Sequence, residues 1–292
     1  MNAGPNAPDR VPATGAGAGE MSEMSEMSYV YAVGRAGPAL DGLAARLPGV
    51  DGRPLRSVGG GGLCALVSPV PADTFSEQGL TAQMEDLDRL EAVARAHHAV
   101  VDAAFAETSV LPMRLATVYL DDTRVADMLV RQRSEFQELL GRLEGHVELG
   151  VKVYADPRTA AATAPAPDAA TPSGGGAGRA YLRQRQAQQR DSQDVYRAAS
   201  DLAARAARLA EGVAASRAVH RPQQGQLAAR AGVNVANEAY LVPREHVAQL
   251  HRALAALAEG APGVSIEVTG PWAPYSFATA VVAEGADGGG PR

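Results

Sequence analysis

Six histidines, one cysteine and two glycine clusters are the residues of this 292-residue chain whose types could do chemistry. His97 and His98 are adjacent; on a helix they point about 100° apart and cannot easily share an ion. His246 and His251 are five apart, also off one face, and His146 and His220 are isolated. No His-Glu-x-x-His is present. All six are expected as ordinary surface or boundary residues, since dedicated sites show ligand spacing. Cys64 lies in the apolar stretch Leu63–Ser68 and is expected to behave as a small hydrophobe. A nucleophilic role would need a base beside it, and no signature for one appears. A single cysteine also excludes an internal disulfide and a four-cysteine zinc site. Gly59–Gly62 is followed by a strand pattern and by no Lys-Ser/Thr, so it reads as a turn and not a phosphate cradle. Gly34-Arg35-Ala36-Gly37 precedes a helix but lacks the remaining glycines and the acidic ribose partner of a dinucleotide loop. No catalytic, cofactor-binding or metal site is therefore expected.

Binding is the remaining chemistry. Arg179–Arg221 carries nine Arg against four acids, and Glu85–Glu107 six acids against two Arg. Both are explained as solvated helix faces; the alternative is docking between copies or with charged partners. RNA binding through the basic helix would show a steep salt dependence, but only Tyr181 and Tyr196 offer stacking rings there. Within this helix Val195, Ala199, Leu202, Ala206, Leu209 and Val213 follow a four-three spacing, a narrow apolar seam. Leu202, Ala206 and Leu209 are accordingly candidate partner-binding residues, with packing on their own sheet as the competing use. Trp272, the only Trp, and Tyr275 are candidates for an aromatic partner-binding hook. The competing reading folds Trp272, Tyr275 and Phe277 back over the second half of the chain to seal its core, since large aromatics usually contribute buried area. Arg114 beside Pro112-Met113 suggests an inward charge needing a carboxylate. Asn234, Asn237 and Glu238 within a strand pattern suggest either a bonding edge or a satisfied internal network.

The totals bound the architecture that positions these residues. The length is natural for two domains. Hydrophobic residues are 46%, much of it Ala, and aromatics only 4%, so the cores must draw most of their energy from Leu and Val. Lys152 is the only Lys, and the formal charge of −6 argues against a general nucleic-acid binder. No apolar run is long enough to span a membrane, and the start lacks the basic and apolar regions of a signal peptide. A soluble, cytoplasmic protein is expected.

Residues 1–28 are mostly Ala, Gly, Pro and Asn followed by a Met-Ser-Glu repeat, too poor in apolar surface to order, with alternative starts at Met24 or Met27. Then come a strand at Tyr29–Val33, a helix at Pro38–Leu47 and strands at Arg53–Val58 and Leu63–Ser68. Next are a helix at Glu85–Phe105, with Leu87, Leu90, Ala94, His97, Val101 and Ala104 on one face and Thr81 or Asp73 as a cap, and a strand at Val110–Tyr119 broken by Pro112. This is β-α-β-β-α-β, the split βαβ unit of ferredoxin-like folds. Residues 121–145 read as a connecting helix. The pattern recurs over 146–282: strand Val147–Tyr154, a flexible insertion at 156–178, a long helix to about Val213, strands at Ala218–Arg221 and Gly232–Val242, a helix to Ala258, and strand Val264–Thr269 ended by Gly270-Pro271. Residues 283–292 are a Gly-rich tail expected to be disordered. The fold class is thus α+β: two tandem ferredoxin-like units, residues 29–120 and 146–282, joined by a helix, the second with a long helix.

Several of these segments, in order, resemble one family. Tyr29-Val30-Tyr31-Ala32-Val33, Leu111–Val118 and Leu143–Val153 are three of them. Gly178–Leu182, Asn237–Val242 and Gly270-Pro271-Trp272-Ala273-Pro274-Tyr275-Ser276-Phe277-Ala278 complete the set. Together they are similar to the gas vesicle GvpL/GvpF family over about Tyr29 to Val282, with Leu115-Ala116 departing from the family's usual Phe-Gly. The resemblance implies a non-enzymatic accessory protein of gas vesicle formation with a tandem α+β fold. Its implied partners are the gas vesicle shell protein and other accessory gas vesicle proteins, and its implied place is the gas vesicle, at the gas-facing side in at least one relative, besides the cytoplasm. It implies no catalytic residues and no cofactor. A small-molecule enzyme or sensor on the same fold is the alternative; it would need a concave pocket with convergent polar groups between the two units.

Overall fold

The computed structural model describes residues 26–83, 86–159, 177–222, 232–259 and 262–278. The expectations for residues 1–25, for most of the insertion and for the 283–292 tail lie outside these residues.

The first unit is built from β1 (Glu26–Arg35), α1 (Pro38–Ala44), β2 (Arg56–Gly60), β3 (Leu63–Pro71), two short helices α2 (Ala72–Phe75) and α3 (Glu77–Gln83), the long α4 (Leu87–Glu107) and the short strands β4 (Val110–Pro112) and β5 (Val118–Tyr119). The sheet order is β2-β3-β1-β4, every pair antiparallel, with β5 also on β1. That is the arrangement a split βαβ unit produces. β1 begins earlier than the sequence suggests: Glu26, Met27 and Ser28, expected in the disordered extension, pair with Pro71, Val70 and Pro69. Its residues from Tyr29 to Gly34 are all buried, because helices cover both faces of the sheet. Gly61 and Gly62, both at positive φ, make the two-residue turn between β2 and β3.

On one face Tyr29, Tyr31, Leu66 and Val70 pack against Leu40 and Leu43 of α1 and against Val93, Val100, Val101 and Ala104 of α4. Asp86, and neither Thr81 nor Asp73, caps α4 by accepting from the Arg89 N–H. Leu87, expected on the apolar stripe, is 75% exposed. His97 is the reverse case: expected at the surface or boundary, it sits 1% exposed in this core. Its Nε2 is 3.1 Å from the Met113 carbonyl and its Nδ1 is 3.0 Å from the Tyr29 hydroxyl. The carbonyl can only accept, so Nε2 carries the proton and Tyr29 donates to Nδ1. The Tyr29 oxygen in turn accepts from the Ala116 N–H at 3.0 Å, which fastens the loop where Pro112 splits the last strand. Arg114 on that loop is exposed and not an inward charge.

The stretch expected as one connecting helix forms two, α5 (Asp122–Arg131) and α6 (Arg133–Leu143), broken at Gln132. They cover the second face of the first sheet: Val125, Met128, Leu129, Phe136 and Leu140 pack on Val30, Val33, Ala65 and Val67. Asp121 caps α5 through the Arg124 N–H. Arg56 of β2 grips Asp122 with two nitrogens at 2.7 Å each.

The second unit comprises β6 (His146–Ala155), α7 (Ala177–Glu211), β7 (Ser216–Val219), β8 (Val233–Pro243), α8 (Val247–Ala258) and β9 (Val264–Trp272). Its order, β7-β8-β6-β9, repeats that of the first, again all antiparallel. β9 does not end at Gly270-Pro271, as the proline suggests. It bulges on an edge strand, through a cis peptide, and pairs on to Trp272 opposite Glu148. Leu149 and Val151 of β6 and Tyr240 and Val242 of β8 pack on Leu250 and Leu254 of α8 and on the second half of α7. The first half of α7 stands clear of the sheet, with Tyr181 58% and Leu182 59% exposed.

Candidate functional site

The alternation of β6 directs Val147, Leu149, Val151 and Val153 into the second unit's core and turns Glu148 to the opposite face, towards the first unit. After Trp272 the chain runs into the short helix α9 (Tyr275–Ala278), which crosses to the first unit. Ala273 and Tyr275 join the Tyr29–α4 cluster, and Phe277 and Ala278 join the cluster under α5 and α6. Ala239 and Leu241 of β8 belong to that second cluster too, so one apolar body spans both units. The fold-back expected over the second unit is therefore a closure onto the first.

Polar groups hold the crossing. Both carboxylate oxygens of Glu148 accept from Ser276, one from its N–H at 2.7 Å and one from its hydroxyl at 2.8 Å. Because that hydroxyl donates to Glu148, it accepts from His220 Nε2 at 3.0 Å. The Tyr275 hydroxyl meets His98 Nδ1 at 2.9 Å, and the two rings stand edge to face. Arg244 lies over the Phe105 ring at 4.6 Å, a further tie between the units.

A cavity of about 390 Å³ remains at this junction, lined by His98, Asp102, Glu148, Trp272 and Tyr275. His98 and Asp102 are one turn apart on α4, so both look the same way. Burial pushes the Glu148 carboxyl above its usual range, against the pull of the Ser276 hydrogen bonds. Burial also raises the Tyr275 phenol. A larger hollow, about 650 Å³, runs along α7 between Tyr181 and Tyr196. Every described residue lining it comes from that one helix, which cannot by itself converge groups on a ligand. The junction cavity draws on both units and is the better candidate.

The residues singled out from sequence fall in different places. Leu202 and Ala206 are 3% and 1% exposed, Leu202 against Val153 and Val264 and Ala206 against Leu149 and Tyr240, with Leu209 partly buried beside Ala206. The seam faces its own sheet and is not open to another helix. Trp272 and Tyr275 both line the junction cavity, where Trp272 stays 48% exposed. Asn234 donates to the Val153 and Ala236 carbonyls, Asn237 to Arg221, and Glu238 binds Arg217 and Tyr240. This is the internal network of the two alternatives. Cys64 is buried and unpaired, its thiol pushed up by burial. His98, Asp102, Glu148 and Ser276 were not singled out as a group from sequence; the one available signal was Glu148, an acid at the outward position of an otherwise apolar alternation. Among the described residues no group of three or more His, Cys, Asp or Glu is placed to hold a metal ion.

Two antiparallel sheets of like topology, fused through a shared core and fastened by the C-terminal segment, define a two-unit α+β protein. Its sequence places it more narrowly: the chain belongs to the gas vesicle synthesis protein GvpL/GvpF family, whose model matches residues 27–279. It is 43% identical to gas vesicle protein L of Streptomyces sp. (strain CB03234) over 251 residues, covering 86% of this chain and 92% of that one. Its fold is similar to the crystal structure of gas vesicle protein GvpF from Anabaena sp. PCC7120, with a TM-score of 0.57 at 18% identity over 87% of this chain and 96% of that one. The GvpF crystal structure from Microcystis aeruginosa gives a TM-score of 0.56 at 20% identity, covering 86% and 98%.

Proposed function

We propose that this protein is a non-enzymatic accessory factor of gas vesicle formation. It binds the gas vesicle shell protein and other accessory gas vesicle proteins during nucleation or growth, acting at the vesicle and in the cytoplasm. The observation that carries the reading is the extent of the family match, residues 27–279, which takes in both units and the junction between them. Deletion of the gene is expected to abolish or reduce vesicles, and pull-down from vesicle-forming cells to recover shell protein. Normal vesicles in the deletion strain would overturn the reading. Crosslinking with mass spectrometry in those cells would locate the contact surface.

One observation favours a second reading, ligand binding: the junction cavity meets the requirement for a concave pocket with convergent polar groups between the units.

A further inference from the structure

We propose that the junction cavity binds an organic cation, a guanidinium or alkylammonium group, through the Asp102 and Glu148 carboxylates and the Trp272 and Tyr275 rings. The inference goes beyond the accessory role and does not depend on it.

Three observations converge on that chemistry. The first is charge. Two of the five described lining residues are acids and none is Lys or Arg. Neither Asp102 nor Glu148 pairs with a Lys or Arg of the described residues; Glu148 takes hydrogen bonds from Ser276 at both oxygens, with His220 behind that serine the one basic side chain that pulls on its charge. A carboxylate that burial disfavours gains most from a cation brought beside it. The second is the aromatic wall. Trp272, the best ring for a cation, keeps 48% of its surface exposed beside the two acids that line the same cavity. Tyr275 is fixed next to it by His98. The third is size. About 390 Å³ lies at the lower end of the range of small-ligand sites, enough for a charged head group and its aliphatic stem. The same two carboxylates repel phosphates and carboxylates, so the site selects by sign as well as by shape.

Trp272 is the only Trp, so the emission of the full chain reports on the cavity directly. At constant ionic strength, N-acetyl-arginine amide and tetramethylammonium are expected to change that emission saturably in the millimolar range. The neutral isostere N-acetyl-citrulline amide is expected to leave it unchanged. Asp102→Asn, at an exposed helix position, should weaken arginine amide binding about two- to fivefold, the size of one exposed charge contact of about 0.4–1 kcal/mol. The melting curve of this variant should match that of the parent. The capped peptide Ac-Gly-Arg-Gly-NH2 tests the source of the cation. Binding as tight as the free amide assigns the site to a chain-borne side chain, and weaker binding to a free small cation; either result supports the cation site. Equal responses to the arginine and citrulline compounds, no saturable response to any cation, or an unchanged affinity in the folded Asp102→Asn variant would each overturn it.

Discussion

Stability should fall on mild acidification because His97 is buried neutral. Its imidazole lies in the first core, stacked on Tyr31 and edge-on to Tyr29, and both ring nitrogens are already engaged by Met113 and Tyr29. Desolvation, with a smaller push from His98, lowers it from the ordinary 6.5 to about 4. Between these values the unfolded chain binds a proton that the folded chain refuses. Stability is therefore whole above pH 6.5, is lost as pH falls towards 4, and changes no further below that on account of this group. The full interval corresponds to about 3 kcal/mol, and about 2 kcal/mol should be gone between pH 7.5 and 5. Urea melts across that range would measure it, and an NMR titration of the His97 ring would tie the loss to this residue. His97→Phe forfeits two hydrogen bonds and starts from a lower stability, yet its pH dependence over the same window should be flatter by about 2 kcal/mol. Parallel curves for parent and variant, or a ring that titrates near 6.5 in the folded protein, would refute the reasoning.

Three further outcomes follow from the packing. Phe277→Ala removes a ring buried under α5 and α6 from the opposite end of the chain; a loss of about 3 kcal/mol is expected in denaturant melts, and a loss below about 0.5 kcal/mol would detach the C-terminal segment from the core. A Cβ on Gly60 would lie 2.8 Å from the Ala126 carbonyl oxygen and 3.0 Å from Leu129 Cβ, so Gly60→Ala should push α5 off β2 at a cost of about 1–3 kcal/mol in the same assay. Leu202→Ala should cost about 2–5 kcal/mol, while Leu182→Ala on the projecting half of the same helix should stay within about 0.5 kcal/mol; equal melting of the two variants would contradict the burial of the seam.

Much of the fold was legible because periodicity is a local property. The odd residues of β6 and the apolar stripe of α8 announce their elements, and the repeated β-α-β-β-α-β order follows from counting them. The four-three seam of α7 was equally legible as a pattern, but a pattern does not name what it faces. Leu202 would look the same under its own sheet or under a partner helix, and only the position of β6 and β9 decides between them. His97 escaped for a related reason. A histidine on an apolar face is ordinary when exposed, and its burial rests on Tyr29, 68 residues away, and on a loop carbonyl.

The junction lies furthest from local rules, and the reason bears on what it does. Glu148, Ser276 and His98 come from three separate elements and His220 from the stretch just after β7, and no spacing in the sequence relates them. Trp272-Ala273-Pro274-Tyr275-Ser276-Phe277 reads as a stiff aromatic tail, and stiffness alone does not say which unit it reaches. The closure onto the first unit buries Phe277 and Ala273 yet leaves Trp272 half open in a cavity it shares with two carboxylates. If sealing the core were the segment's whole use, an aliphatic side chain would serve at that position, since an indole left half in water forgoes about half of its burial energy. A half-exposed indole sharing a cavity with two acids that pair with no Lys or Arg is instead what cation recognition requires. Glu148 would then be shared between the Ser276 contacts that hold the units together and the incoming charge. A cation that strengthens the ionised form of Glu148 strengthens those contacts with it, so ligand and junction should stabilise each other, as linkage demands.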